Sequence, residues 1–348
     1  MSYTNGLDNP ELYFQTKLYT GNGTSQSITL DGSENMQPDW VWIKERSSTS
    51  DHSLHDSVRG STKIVKSSTN AAEITRTGSI TSFDSDGFSL GDNAGVNENS
   101  QTYASWNWLG ANGTASNTDG SITSSVSANT TAGFSIVTYT GTGSAGTIGH
   151  GLNATPGMII CKNRSSSVVW VVYHHKNTSA PETDYLTLNG TNATTDHIVF
   201  NDTAPTSSVF SVAGDSANNE SSSNHVAYCF AEKKGFSKFS SYQGSGNSDG
   251  PFVYLGFRPA FLMVKSYKNA QDWEIFDNKR STFNPVELNL AANTNGADIT
   301  DLDIDFLSNG FKVRIADDSV NNSSYSYIYM AFAESPFVNS NGVPNNAR

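Results

Sequence analysis

One pattern, written three times, constrains this chain more than any other feature. Tyr-x-Gly-x-Gly occurs as Tyr19-Thr20-Gly21-Asn22-Gly23, Tyr139-Thr140-Gly141-Thr142-Gly143 and Tyr242-Gln243-Gly244-Ser245-Gly246. A second motif is Pro, one residue, four apolar residues, then Lys. It starts at Pro38, Pro156 and Pro259 and ends at Lys44, Lys162 and Lys265, with Tyr-to-Pro separations of 19, 17 and 17 residues. Eight residues past each Lys stand His52, Trp170 and Trp273, and twelve past it Asp56, His174 and Asp277. Phe88, Phe210 and Phe311 follow, and each copy closes on an aromatic, Trp108, Phe230 or Phe332. Self-similarity at a fixed period means that a supersecondary unit is reused.

The spacing divides the chain into an N-terminal segment 1–13, modules at 14–109, 133–235 and 236–337, and a polar tail 338–348. The Gly-, Ser-, Thr- and Asn-rich stretch 110–132 reads as a flexible linker, or as a linker plus one edge strand carrying Ile122 and Val126. Only Lys233-Lys234-Gly235 separates the second and third modules, so those two must pack closely. The tail is expected to be mobile unless a neighbour holds it.

Within a module the signal is strand. Trp40 and Trp42 alternate with Val41 and Ile43, so both faces are apolar, as in a central strand buried on both sides. Asp86-Gly87 and Asn309-Gly310 are turn signals ahead of strands. Asn9-Pro10-Glu11 is the one convincing helical start, with Asn9 as cap and Pro10 at the first helical position. Units of about 100 residues with turns every ~8–12 residues predict an all-β fold of three tandem β-sandwich modules, jelly-roll-like, each closed around its own core.

Composition narrows function. Lys plus Arg number 21 against 33 Asp plus Glu, a net charge of −12 that excludes a uniform basic coat for nucleic acid or anionic membrane. Only 16% of residues are charged, and Ser, Thr, Asn and Gly carry the polarity, which suits turns better than helices. Two cysteines, Cys161 and Cys229, cannot staple 348 residues; Cys161 aligns with Ile43 and Val264 and reads as a small core hydrophobe. The start of the chain has no basic or apolar leader pattern, and no apolar run approaches ~18 residues. Synthesis in soluble form inside a cell, with no membrane insertion, is the expectation.

The runs Tyr13-Phe14-Gln15-Thr16-Lys17-Leu18-Tyr19-Thr20-Gly21-Asn22-Gly23, Gly133-Phe134-Ser135-Ile136-Val137-Thr138-Tyr139-Thr140-Gly141 and Pro156-Gly157-Met158-Ile159-Ile160-Cys161-Lys162-Asn163-Arg164 resemble a repeated β-rich module of marine bacteriophage structural proteins. The stretch from Asp84-Ser85-Asp86-Gly87-Phe88 to Trp106-Asn107-Trp108 does too, and the likeness covers most of the chain. The module belongs to a domain class of unknown function. The resemblance implies a virion component of the tail-fibre or virion-structural kind, and it transfers no catalytic residues.

Catalytic and metal patterns are weak. No Gly-x-Ser-x-Gly or His-Glu-x-x-His occurs, and no carboxylate pair recurs in the three copies. His52 with His55, or His174 with His175, lacks a second ligand pair at metal spacing. Asp301, Asp303 and Asp305 share one strand face and read as a solvated face rather than a Ca²⁺ site. Lys44, Lys162 and Lys265 read as snorkelling side chains at a sandwich rim. Asp56-Ser57-Val58-Arg59 and Asp277-Asn278-Lys279-Arg280 share an Asp-x-x-Arg feature, a local ion pair worth ~0–1 kcal/mol if exposed, replaced in the second module by His174-His175-Lys176-Asn177. The glycines of Tyr-x-Gly-x-Gly serve a tight turn, not a phosphate loop.

The expected protein is therefore a non-enzymatic virion subunit without cofactor, catalytic or metal site, made in the host cytoplasm. It is expected to be exposed on the particle, to assemble with other virion proteins and with copies of itself, and to assist host attachment through a surface glycan. Alternatives are a capsid decoration protein docked by Tyr3, Leu7 and Leu12, and a secreted bacterial lectin or adhesin.

Overall fold

The alternation of apolar side chains has a direct structural counterpart. In the computed structural model, which describes residues 6–346, strand Trp40–Glu45 sends Trp40 and Trp42 into one cluster and Val41 and Ile43 into another. Strand Met158–Asn163 splits the same way, Met158 and Ile160 against Ile159 and Cys161. The third counterpart lies inside the longer strand Phe257–Ser266.

Each copy builds one main antiparallel sheet with the same strand order. In the first it runs Phe14–Thr20, Thr102–Trp108, Trp40–Glu45, Ser53–Asp56. In the second, Phe134–Thr140, Asn224–Phe230, Met158–Asn163 and Val171–His174 take these places, and in the third, Ser237–Gln243, Ser326–Pro336, Phe257–Ser266 and Trp273–Asp277. The sequence markers fall in register. The closing aromatic lies opposite the first of the four apolar residues before the Lys each time: Trp108 with Trp40, Phe230 with Met158, Phe332 with Phe261. Across from those residues stand Asp56, His174 and Asp277.

A smaller sheet covers the outer face of each main sheet. In the first copy Ile28, Ile80, Phe88 and Leu90 meet Val41, Ile43 and Tyr103. In the second, Ile148, Phe210 and Val212 meet Val137, Ile159, Cys161 and Cys229. In the third, strands Phe252–Tyr254, Gly310–Val313 and Ile304–Leu307 form the small sheet. The protein is thus mostly β, with several antiparallel sheets.

The inner faces correct one expectation. The copies do not close around three separate interiors: the largest cluster draws buried residues from all of them, including Trp40, Trp42, Trp106 and Trp108, then Phe134, Tyr228 and Phe230, then Phe261 and Phe332. Phe332 alone has its ring within 5.3–6.3 Å of the rings of Phe14, Trp108, Phe230, Phe236, Phe239 and Phe261. Alternation on a two-faced strand shows that both faces are buried; it does not say that the second face is buried against another copy.

Three further differences are local. Residues 110–132 carry two strands, Ala115–Asn117 and Ser124–Asn129, which extend the second main sheet beyond Phe134–Thr140. Two four-residue helices, Ala94–Asn97 and Ser216–Asn219, were not legible, although Asn93 and Asp215 cap them by accepting from Gly95 N at 2.9 Å and Ala217 N at 2.7 Å. The tail is folded back as far as it is described: Asn345 N donates to Phe337 O at 3.0 Å, and Ser340 N to Asp8 Oδ1 at 2.8 Å. The turn at Pro10–Leu12 forms as expected, with Asn9 Oδ1 accepting from Glu11 N at 3.2 Å. Leu7, expected as a docking contact, is instead 2% exposed in the shared core; Leu12 is half-exposed, and Tyr3 lies outside the described residues.

Candidate functional site

The repeated polar markers are consumed by joints between the copies. Trp170 Nε1 donates to Lys66 O of the first copy at 2.9 Å, and Trp273 Nε1 to Thr187 O of the second at 2.9 Å. His52 closes the cycle, its Nε2 lying 3.1 Å from Ala291 O of the third copy. Two residues past each motif Lys, a carbonyl accepts from the neighbouring copy: Arg46 O from Asp298 N, Arg164 O from Glu73 N and Tyr267 O from Thr194 N, all at 2.9 Å. The copies therefore form a ring, each braced on the one before it.

Two of the motif lysines reach across the same joints and none sits at an exposed rim, which corrects the snorkelling expectation. Lys44, Lys162 and Lys265 are fully buried. Lys162 Nζ donates to Asn70 O, Ser166 O and Val168 O at 2.8–3.3 Å, and Lys265 Nζ to Thr191 O, Asn269 O and Gln271 O at 2.8–3.4 Å. For these two, one acceptor lies in the preceding copy, whereas Lys44 Nζ donates to Glu45 O within its own copy. Burial pulls all three ammonium groups down to about 8.

The Asp-x-x-Arg pairs are buried as well, not exposed. Asp56 binds Arg59 Nε and accepts from Tyr228 OH at 2.8 Å; Arg59 Nη1 reaches Glu73 at 3.0 Å, and Glu73 pairs with Arg164 at 2.7 Å. In the joint between the third and first copies, Asp277 binds Arg280 and accepts from Trp106 Nε1 at 3.1 Å, Arg280 reaches Asp298 at 3.0 Å, and Asp298 pairs with Arg46 at 2.7 Å. The remaining joint is neutral at every corresponding place. His174, Asn177, Thr194 and Tyr267 stand where the others have Asp, Arg, a carboxylate and, at the last place, Arg, and Met330 takes the sheet position of Tyr228 and Trp106. Met330 has no N–H or O–H to offer a carboxylate, so an Asp there would lose its cross-joint donor. His174 instead bonds Tyr329 O through Nε2 at 3.2 Å.

The histidines do not gather. His52 Nδ1 accepts from Trp42 Nε1 at 2.8 Å, whereas His55 contacts Ser61 O and Ser79 Oγ. Burial drives His52 and His174 to about 3 and His55 to about 4, which keeps them neutral. His175 Nε2 meets Phe239 O at 2.7 Å. Among the described residues no group of three or more His, Cys, Asp or Glu side chains is placed to hold a metal ion. Asp305 pairs with Arg314 at 3.3 Å, while Asp301 is exposed. Both thiols lie buried in the core of the second copy, and burial pushes them up.

The glycine motif is a clamp that sequence reading saw only in part. Gly23, Gly143 and Gly246 have φ of 67–72°, a left-handed turn that favours glycine. A Cβ on Gly21, Gly141 or Gly244 would stand 2.2 Å from a backbone oxygen. The partner is a buried asparagine that was missed: Asn97, Asn219 and Asn321 accept at Oδ1 from Asn22 N, Thr142 N and Ser245 N at 2.7–2.9 Å. Each lies eleven residues before its closing aromatic, a spacing that was available in the sequence.

The third copy carries two exposed aromatics beside a cleft. Strand Phe252–Tyr254 turns Val253 inward, opposite Phe311, and leaves Phe252 47% and Tyr254 55% exposed. The corresponding residues are Ser27 and Thr29 around Ile28, and Thr147 and Gly149 around Ile148. Beside Tyr254 opens a cleft of about 460 Å³ lined by Glu232, Lys234, Lys238, Leu255 and Phe337 among others. Its walls are fixed by backbone bonds: Leu255 N and Gly256 N to Asn309 O at 2.8 and 3.0 Å, and Phe337 N to Gly256 O at 3.0 Å. Lys238 Nζ donates to Tyr254 O at 3.1 Å and sits 5.6 Å from the centre of its ring. One carboxylate, two ammonium groups and an exposed ring are groups for holding a ligand.

By architecture this is a β-rich protein of three interlocked copies. A family model described as a domain of unknown function (DUF7483) matches residues 9–336, and the chain belongs to that family. The matched span crosses all three copies and both ionic joints. No curated protein and no solved structure matches the chain.

Proposed function

We propose that this protein is a non-enzymatic structural component of a bacteriophage virion, exposed on the particle and engaged in host attachment. The observation that carries the reading is the likeness of its repeated segments, Tyr13–Gly23, Gly133–Gly141 and Pro156–Arg164 among them, to the module of phage structural proteins. The use of the repeated polar markers as internal joints supports it: they build a rigid body and leave surface loops to vary. Each copy is taken as a two-sheet, jelly-roll-like sandwich whose inner sheet face serves the ring. The decoration alternative loses one of its three docking contacts, because Leu7 is buried.

The test is direct. Particles purified from a lysate by density gradient are probed for the protein by mass spectrometry and by immunogold labelling. Co-sedimentation with labelled, intact particles is expected. Recovery only in the soluble fraction would refute the reading.

A further inference from the structure

We propose that the cleft beside Tyr254 binds a carboxylate-bearing saccharide. Host attachment is the setting on which this site rests, and the cleft gives that attachment a ligand class and an address.

Three observations point there together. The small-sheet strand has the same inward residue in every copy, Ile28, Ile148 or Val253, yet only the third copy flanks it with aromatics. Phe252 and Tyr254 place large apolar surface in water at positions where Ser27, Thr29, Thr147 and Gly149 show that the fold does not need it. Exposed aromatic surface of this kind marks a contact site rather than a core requirement. Secondly, the cleft volume of about 460 Å³ lies in the range of small-ligand sites, about 300–1,000 Å³, and its walls are held by the bonds around Asn309. Thirdly, the lining is mixed in a way that suits a sugar. A pyranose has an apolar C–H face and a hydroxyl edge; a ring that is anchored through its backbone and still more than half in water offers the face a platform, while the charged rim of Glu232 and Lys238 offers the edge its partners.

The charge selects an acidic sugar. The chain carries −12, but Lys233, Lys234 and Lys238 fall within six residues, and Lys234 and Lys238 line the cleft against one carboxylate, Glu232. A local positive potential on an acidic body favours a ligand with its own carboxylate.

The experiment uses the full chain on an array of uronate- and sialate-containing oligosaccharides, each beside its neutral counterpart, with calorimetry on the acidic members bound. Binding to acidic members, at least tenfold weaker for their neutral counterparts, is expected. Tyr254→Ala and Lys238→Met should each lose at least tenfold in affinity while melting with the unaltered protein, and Phe252→Ala, a second exposed substitution on the same strand, guards against a misfolded Tyr254 variant. No acidic member bound, equal binding of the neutral counterparts, or full affinity in a folded Tyr254→Ala protein would each overturn the assignment. Particle incorporation is scored separately: a protein found in virions that binds no saccharide loses the cleft alone, and a protein that binds but is absent from virions loses the virion reading alone.

Discussion

Phe332→Ala distinguishes one cooperative body from three modules. The ring is 1% exposed and touches rings of all three copies, so its removal opens a cavity at the point where the copies meet. Truncating a buried Phe costs about 3–5 kcal/mol. Unfolding entropy near 60 °C is about 2.1 cal/mol/K per residue, so a body of about 330 residues carries about 0.7 kcal/mol/K and should lose about 4–7 °C of Tm. A module of about 100 residues unfolding alone would carry about 0.2 kcal/mol/K and lose about 14–24 °C. Tryptophan fluorescence makes the two cases separable, because Trp40, Trp42, Trp106, Trp108 and Trp170 lie outside the third copy and only Trp273 lies within it. Calorimetry and fluorescence should therefore give one transition, shifted slightly and together. A large early transition that leaves most of the tryptophan signal unmoved would refute the shared core.

Further outcomes follow from the joints. Arg59→Met leaves the buried Asp56 without its cation, Glu73 keeping only Arg164, and should cost about 3–5 kcal/mol in urea unfolding, against about 1 kcal/mol for Asn177→Ala in the neutral joint; equal costs would contradict the distinction. His52, His55 and His174 are held below the ordinary 6.5, so the unfolded chain takes up protons first as pH falls. The stability these histidines contribute should be complete above about pH 6.5 and fall below it toward pH 4, by up to roughly 1.4 kcal/mol per pH unit for each histidine; unchanged stability from pH 7 to 5 would count against it. Gly141→Ala, whose Cβ meets Glu220 O at 2.2 Å, should lower Tm sharply, while Gly113→Ala, with nothing within 4 Å, should leave it unmoved. Converting the neutral joint with His174→Asp and Asn177→Arg should destabilise the protein, and adding Met330→Tyr and Thr194→Glu should recover roughly 0.5–3 kcal/mol of that loss; no recovery would deny that the four positions act as a set.

Much of this was legible in the residues. The triplication, strand Trp40–Glu45 buried on both sides, the left-handed turn at Gly23, Gly143 and Gly246, and the Pro10–Leu12 turn all follow from spacing and local chemistry. Burial of Lys44, Lys162 and Lys265 was not legible, because a lysine after an apolar run is ordinarily a rim residue, and for Lys162 and Lys265 one of the three carbonyl acceptors lies in a loop of the preceding copy, at Asn70 or Thr191. The exposed pair Phe252 and Tyr254 was hidden for the opposite reason. Aromatics on a strand in a β-rich chain read as core, and only the register against Gly310–Val313 shows that Val253 takes the inward place.

The neutral joint explains why a ring of similar copies has one arrangement. If all three joints carried the same Asp, Arg and acidic set, each copy would fit either neighbour equally, and a chain could close with the wrong copy or with a second molecule. Two ionic joints and one neutral joint remove that degeneracy. Asp56 accepts from the hydroxyl of Tyr228 and Asp277 from the indole N–H of Trp106, whereas His174 bonds Tyr329 O, and the position matching Tyr228 and Trp106 holds Met330, whose thioether has no proton to give either carboxylate. Misjoining would bury a carboxylate without its donor, a cost of about 1–3 kcal/mol or more for a charged group. The replacement in the second copy, which as sequence looks like the decay of a motif, is thus the feature that makes the order of the copies a consequence of their chemistry.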